Sequence, residues 1–265
     1  MAERKGVRLN RFLARCGVAS RRACDELIEG GHVQVDDRVV TKMGVVVDPA
    51  AQQVRVDGMV VELAPSAVYV LHKPKGVVCT SARAKGRICA VDMLPESLGR
   101  LFTIGRLDKD SEGLLLLTND GDLAQHLAHP RHGVTKTYRL RCRGHLKQDS
   151  TQKLARGVHL SDGKTGPIRP GVLKRTKSWT DVQIVIREGR NRELRRAFAR
   201  VGHPVIDLRR VRVGGLGLGR LKRGEWRRLK RAEVEELLEP GGEQPRGRPR
   251  RGRPPKGRHP KGKRR

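Results

Sequence analysis

Residues 105–113 read Gly-Arg-Leu-Asp-Lys-Asp-Ser-Glu-Gly, two glycines bracketing three acids and two bases. Four leucines follow at 114–117, then Thr118-Asn119-Asp120-Gly121. The leucine run has the length of a short buried strand, and the segment after it is a turn signal. The loop therefore holds carboxylates and a guanidinium at the mouth of a strand. A carboxylate kept ionised by a neighbouring arginine can attack an electrophilic carbon and form a covalent adduct. Asp108 and Asp110 qualify equally by residue type and position.

The rest of the chain indicates the kind of molecule that loop would meet. Lys and Arg total 58 against 28 Asp and Glu, a net charge of +30 over 265 residues. Such a surface suits a phosphate backbone, with binding that weakens as salt rises. The apolar runs are too short to cross a bilayer, and the N-terminal residues carry no apolar signal segment. Five cysteines, Cys16, Cys24, Cys79, Cys89 and Cys142, form no CxxC pair. Their odd number suggests free thiols in a reducing cytosol. Three other signals carry less. His126, His129 and His132 have helical spacing, but Pro130 interrupts it and no Cys or Glu completes a metal set. The glycines at 214, 215, 217 and 219 lack a P-loop lysine and read as a turn between strands. Ser111 has no His/Asp arrangement for hydrolase chemistry.

Three segments position these residues: 1–65, 66–239 and 240–265. In the first, Leu9, Phe12, Leu13 and Cys16 recur at helical spacing, and Gly17 ends the helix. Ser20 caps a second helix, closed by Gly30-Gly31. Val33-Gln34-Val35, Asp36-Asp37 and Val39-Val40 read as a hairpin, and Val54-Arg55-Val56-Asp57-Gly58 as a strand and turn. Arg8, Arg11 and Arg15 fall on one helical face, and Arg21 and Arg22 open the next helix, where the dipole favours phosphate. The runs Arg8-Leu9-Asn10-Arg11-Phe12-Leu13-Ala14, Gly17-Val18-Ala19-Ser20-Arg21-Arg22 and Ile28-Glu29-Gly30-Gly31-His32-Val33-Gln34-Val35 resemble the core of the S4 RNA-binding domain. That resemblance implies RNA contact by the five arginines.

The second segment alternates strands (Val68-Tyr69-Val70-Leu71, residues 137–142 and 182–186) with helical stretches at 122–128, 191–201 and 231–238. Strands outnumber helices, so the expected fold class is α+β, with a mixed, mostly antiparallel sheet. The third segment is Pro, Gly, Lys and Arg with almost nothing apolar, and is expected to be a disordered basic tail. Its Arg246-Gly247-Arg248-Pro249 and Arg251-Gly252-Arg253-Pro254 resemble AT-hook cores, a match that such a composition produces easily by chance.

Residues 105–121 resemble the catalytic motif of the RNA pseudouridine synthases, in the branch that modifies ribosomal RNA and carries an S4 domain. His72-Lys73-Pro74-Lys75-Gly76, Lys136-Thr137-Tyr138-Arg139-Leu140 and Glu188-Gly189-Arg190-Asn191-Arg192-Glu193-Leu194-Arg195-Arg196 match further motifs in order and spacing. The last is most like members acting on the large-subunit RNA. The resemblance implies roles residue by residue. Asp108 is the nucleophile, with its adduct at ribose C1′ or uracil C6, and Arg195 is its basic partner. Leu194 forms an apolar wall, and Tyr138 stacks on a flipped-out uracil. Arg106 fills the space that the base leaves. Asp110 is left as a structural or loop-capping residue. The expected protein is a monomeric cytoplasmic isomerase acting on ribosomal RNA, away from membranes, with no metal and no organic cofactor.

Overall fold

A computed structural model describes residues 6–80 and 86–238 of the chain. The C-terminal tail and its AT-hook-like repeats lie outside the described residues. The N-terminal part is a helical hairpin on a small sheet. Helix α1 (Leu9–Arg15) buries Leu9, Phe12 and Leu13, and α2 (Arg21–Glu29) buries Cys24 and Ile28. The Ser20 hydroxyl accepts from the Ala23 N–H (3.1 Å), as its capping position requires. Arg8 precedes α1 rather than lying within it, so the expected arginine face is shared between the helix and the residue leading into it. Val33–Val35 pairs antiparallel with Arg38–Val39 and with Val54–Val56. Asp36 (φ 49°) and Asp37 (φ 64°) take the two left-handed positions of a tight hairpin turn. These elements enclose their own apolar core, from Leu9 to Val56.

The larger part is built on one nine-stranded sheet. Its strands are β1 (Val68–Lys73), β2 (Phe102–Ile104), β3 (Glu112–Thr118), β4 (Lys136–Arg143), β5 (Gly171–Arg175), β6 (Trp179–Ile186), β7 (Val205–Val213), β8 (Leu216–Gly217) and β9 (Trp226–Arg228). The order is β5-β6-β4-β7-β3-β1-β9, with β8 on β7 and β2 on β3. All neighbours are antiparallel except β7 and β3. The sheet is thus mixed and mostly antiparallel, as expected.

The leucine run becomes β3, buried at every position. Its side chains alternate: Leu115 and Leu117 join one core, while Leu114 and Leu116 join another on the opposite face. Helices α3 (Gly121–Ala128) and α6 (Arg231–Leu238) contribute Leu127 and Leu237 to the second core. Helices α4 (Gln148–Ala155) and α5 (Glu193–Arg200) contribute Leu154, Leu194, Ala197 and Phe198 to the first. Strand β4 is more deeply buried on one face than on the other. Tyr138, Leu140 and Cys142 point into the core, while Arg139 and Arg143 are exposed. Gly214 and Gly215 make the turn from β7 to β8, as the glycine-rich stretch suggested. The five cysteines form no disulfide among the described residues. No helix among the described residues is long and apolar enough to cross a membrane.

Candidate active site

The acidic loop leaves β2 and returns as β3. Two cross-links brace it from the segment that ends β1. The Gly76 N–H donates to the Lys109 carbonyl (2.7 Å). The Lys73 ammonium, 0% exposed, donates to the carbonyls of Pro74 (3.0 Å) and Ser111 (2.8 Å). Burial pulls that ammonium down, opposed by Cys79, Asp108 and Asp110. Lys73 was only part of a matching motif in the sequence; its position explains why a lysine belongs at a buried strand end. The far end of the loop is also held. Burial works to raise Glu112, and hydrogen bonds from Arg209 and Arg223 outweigh it and keep the carboxyl below its usual range.

The two aspartates, equivalent in the sequence, differ in space. Arg192 donates to both Asp110 oxygens (2.9 and 3.1 Å), and that bidentate bond holds the Asp110 carboxyl below its ordinary value. Asp108 makes looser approaches. Its Oδ2 lies 3.8 Å from Arg192 Nη1 and 3.9 Å from Arg195 Nε. Asp108 lines a cavity of about 380 Å³; Asp110 does not.

Arg195, assigned by resemblance to Asp108, serves both carboxylates. Its Nε is nearer to Asp110 (3.3 Å), and its Nη2 donates to the Asp110 carbonyl (3.0 Å) and the Ser111 hydroxyl (3.2 Å). That Nε is buried and makes no hydrogen bond among the described residues, so one oriented donor remains beside the loop. Arg192 is the partner that motif matching left without a role. It precedes α5 in the left-handed region (φ 48°), an uncommon state for a non-glycine residue. This is also why α5 starts at Glu193 rather than at Asn191.

The cavity wall is supplied by β4, β6, β7 and α5. Tyr138 and Leu194, 7% and 4% exposed, line it together with Ile186 and Leu208, and Arg106 stands exposed at its edge. A ring and apolar side chains facing a charged loop suit a small planar base beside a sugar. The same wall carries Lys136, Arg210, Glu188 and Glu193, none of them given a role in the sequence. Glu193 is pushed up to about 7 by burial first and by Glu188 second, and its carboxylate accepts from the Arg190 N–H (3.2 Å).

A raised carboxyl favours its neutral form in the fold. Its stability contribution is therefore complete below pH 4.5 and is lost as pH rises through about 7. Glu193→Gln keeps the acceptor and cannot ionise. It should melt a few degrees above the wild type at pH 8 and close to it at pH 4. Equal melting temperatures at pH 8 would show that Glu193 ionises there without cost.

The arginines expected to meet RNA divide. Arg8, Arg11, Arg15 and Arg21 line a second cleft of about 680 Å³, facing Arg100, Asn119 and Gln125. Arg11 also meets the carboxylate of Asp122. Arg22 is exposed and outside that cleft. The histidines of α3 and its exit form no metal cluster among the described residues; His126 and His132 stack at 3.9 Å.

Comparison with known proteins identifies the family. The RNA pseudouridylate synthase family matches residues 67–200, and the S4 domain family residues 7–52. A Bacillus subtilis protein named ribosomal large subunit pseudouridine synthase B is 41% identical over 232 residues, covering 87% of this chain and 95% of its own. A protein of the same name from Salmonella typhimurium is 37% identical over 245 residues, covering 87% and 81%. A crystal structure of a pseudouridylate synthase superimposes with a TM-score of 0.64 at 27% identity, covering 87% of this chain and 99% of that one. The family match over residues 67–200 and relatives 41% and 37% identical over most of their length show that this chain belongs to the RNA pseudouridine synthase family.

Proposed function

We propose that this enzyme converts one uridine of large-subunit ribosomal RNA to pseudouridine, with Asp108 as the nucleophile. The observation that carries the reading is the asymmetry of the loop. Asp110 is locked to Arg192, whereas Asp108 lines the cavity with two guanidiniums just outside hydrogen-bond distance. Those guanidiniums complement the negative charge of the carboxylate that an attack requires. The names of the relatives support the choice of RNA.

The reaction is an isomerisation. Asp108 bonds to C1′ as the N1–C1′ bond breaks, or adds to C6 before it breaks, and the base turns. C5 then joins C1′, and the carboxylate is released from C1′ in that same step or from C6 after it. C5 loses its proton and N1 gains one. Tyr138 stacks on the extruded uracil, Leu194 keeps water from its edge, and Arg106 enters the vacated stack. Arg195 supports the charge on the loop. None of these steps calls for a metal or an organic cofactor. The domains act as units at 1–65 and 66–239, with the 240–265 tail adding phosphate attraction. Arg8, Arg11, Arg15, Arg21 and Arg22 grip phosphates of the same RNA, so affinity should fall steeply with salt. The protein works in the cytoplasm as a monomer, away from membranes.

The test is to incubate the purified protein with large-subunit and small-subunit ribosomal transcripts and map pseudouridine in each. Conversion at one uridine of the large-subunit RNA is expected. Conversion confined to the small-subunit RNA would overturn the substrate assignment.

A further inference from the structure

Lys136 and Arg210 stand in the cavity with no assigned role. Lys136 begins β4 two residues before Tyr138, so the two share a face of the strand. Arg210, 3% exposed, is the cross-strand neighbour of Tyr138 and donates from Nε to the Leu114 carbonyl (2.7 Å). Two other cations of this cavity have acids beside them: Arg192 has Asp110 (2.9 Å) and Arg190 has Glu188 (3.6 Å). Lys136 has none. Among the described residues it makes no hydrogen bond and no ion pair. Burial, then the like charge of Arg210, push it below the ordinary lysine range, and no carboxylate pulls it back.

A half-buried ammonium beside a buried guanidinium, in a cavity that Leu116, Leu127 and Val213 also line, is unfavourable unless something negative arrives. A neutral uracil does not supply that charge at rest. It acquires it during reaction. Attack at C1′ sends the N1–C1′ electron pair onto the leaving base, where O2 and O4 share it. Attack at C6 sends the C5–C6 π pair towards O4. Either route makes the ring oxygens anionic.

We propose that Lys136, backed by Arg210, stabilises the negative charge that develops on the target uracil. This rests on the reading of the cavity as the uridine site. Lys136 acts by donating a hydrogen bond from Nζ to a ring oxygen and keeps its proton throughout. The preorganised cation in the cavity that Asp108 lines thus favours the transition state over the bound, uncharged base.

The test compares wild type, Lys136→Met and Lys136→Arg on large-subunit ribosomal RNA. It reads the single-turnover rate at saturating enzyme, the RNA dissociation constant and the melting temperature. Lys136→Met should lower the rate by about 10²-fold, a loss typical of one preorganised donor, with affinity within about threefold of wild type. Lys136→Arg should recover most of the rate. Lys136→Met should melt no lower than wild type, because an uncompensated charge has been removed. An unchanged rate with weakened affinity would make Lys136 a phosphate anchor and overturn the proposal. A lower melting temperature, with the rate restored by any residue of similar length, would make it structural and overturn it equally. An inactive wild type would instead refute the uridine assignment itself, so the two failures are distinguishable.

Discussion

Asp108→Asn is expected to reduce pseudouridine formation by about 10⁴-fold or more, which corresponds to a barrier higher by roughly 5 kcal/mol. The replacement keeps the shape and exchanges a carboxylate for a neutral amide. That amide cannot supply the electron pair for a covalent adduct under mild conditions. Little else should change. Asp108 accepts no close hydrogen bond from Arg192 or Arg195, which stand 3.8 and 3.9 Å away. The loop itself is braced by Lys73, Gly76 and the Arg192 pairing with Asp110. Melting temperature and RNA affinity should therefore stay near wild type. Asp110→Asn should behave differently: it weakens the bidentate contact, loosening the loop, and lowers the rate only in part. If the two variants were equally inactive and equally stable, the distinction between the aspartates would be lost.

The second large effect concerns folding. Gly113→Ala should cost about 4 kcal/mol, combining steric overlap with backbone strain. Gly113 sits in β3 at φ 115°, a backbone state that side chains rarely adopt, opposite Arg210 in the parallel pairing with β7. A Cβ there would lie 2.7 Å from the Arg210 backbone nitrogen and closer still to its carbonyl oxygen. Neither backbone atom can turn aside. The melting temperature should drop by roughly 10 °C for a protein of this size. Gly202→Ala is the control. It has a comparable positive φ of 84° but open space around its Cβ, so only the conformational cost of about 1 kcal/mol applies. Equal destabilisation by the two substitutions would show that strain, not the approach of β7, governs the site.

These two residues also show how legible the chain was. The glycine at 113 was visible as the end of a loop, but its reason was not, because the strand opposite is almost a hundred residues away. Strand β7 itself, Val-Ile-Asp-Leu-Arg-Arg-Val-Arg-Val, hides its pattern. Arg209 and Arg210 look like solvent residues, yet Arg210 is buried with its guanidinium on a β3 carbonyl. Lys73 misleads in the same way, since a lysine at 0% exposure depends on carbonyl partners that only the folded chain supplies. Helix α4 buries a single leucine, too little for a periodic signal. Elements with strong local patterns were readable: the leucine run of β3, the Ser20 cap, the Asp36-Asp37 turn and the alternation of β4. Within the site, the tyrosine and the loop were readable from motifs. Residue type left the aspartates equivalent and the resemblance assigned the role to Asp108; the physical difference between them rests on Arg192, whose left-handed backbone and reach across 82 positions no spacing rule contains.

The most direct test of the account is a pseudouridine map of large-subunit ribosomal RNA from cells lacking this chain, complemented with wild type or with Asp108→Asn. The account predicts that one uridine is unmodified without the chain, modified again with wild type, and still unmodified with Asp108→Asn. A map that does not change when the chain is lost, or that Asp108→Asn restores, would contradict it.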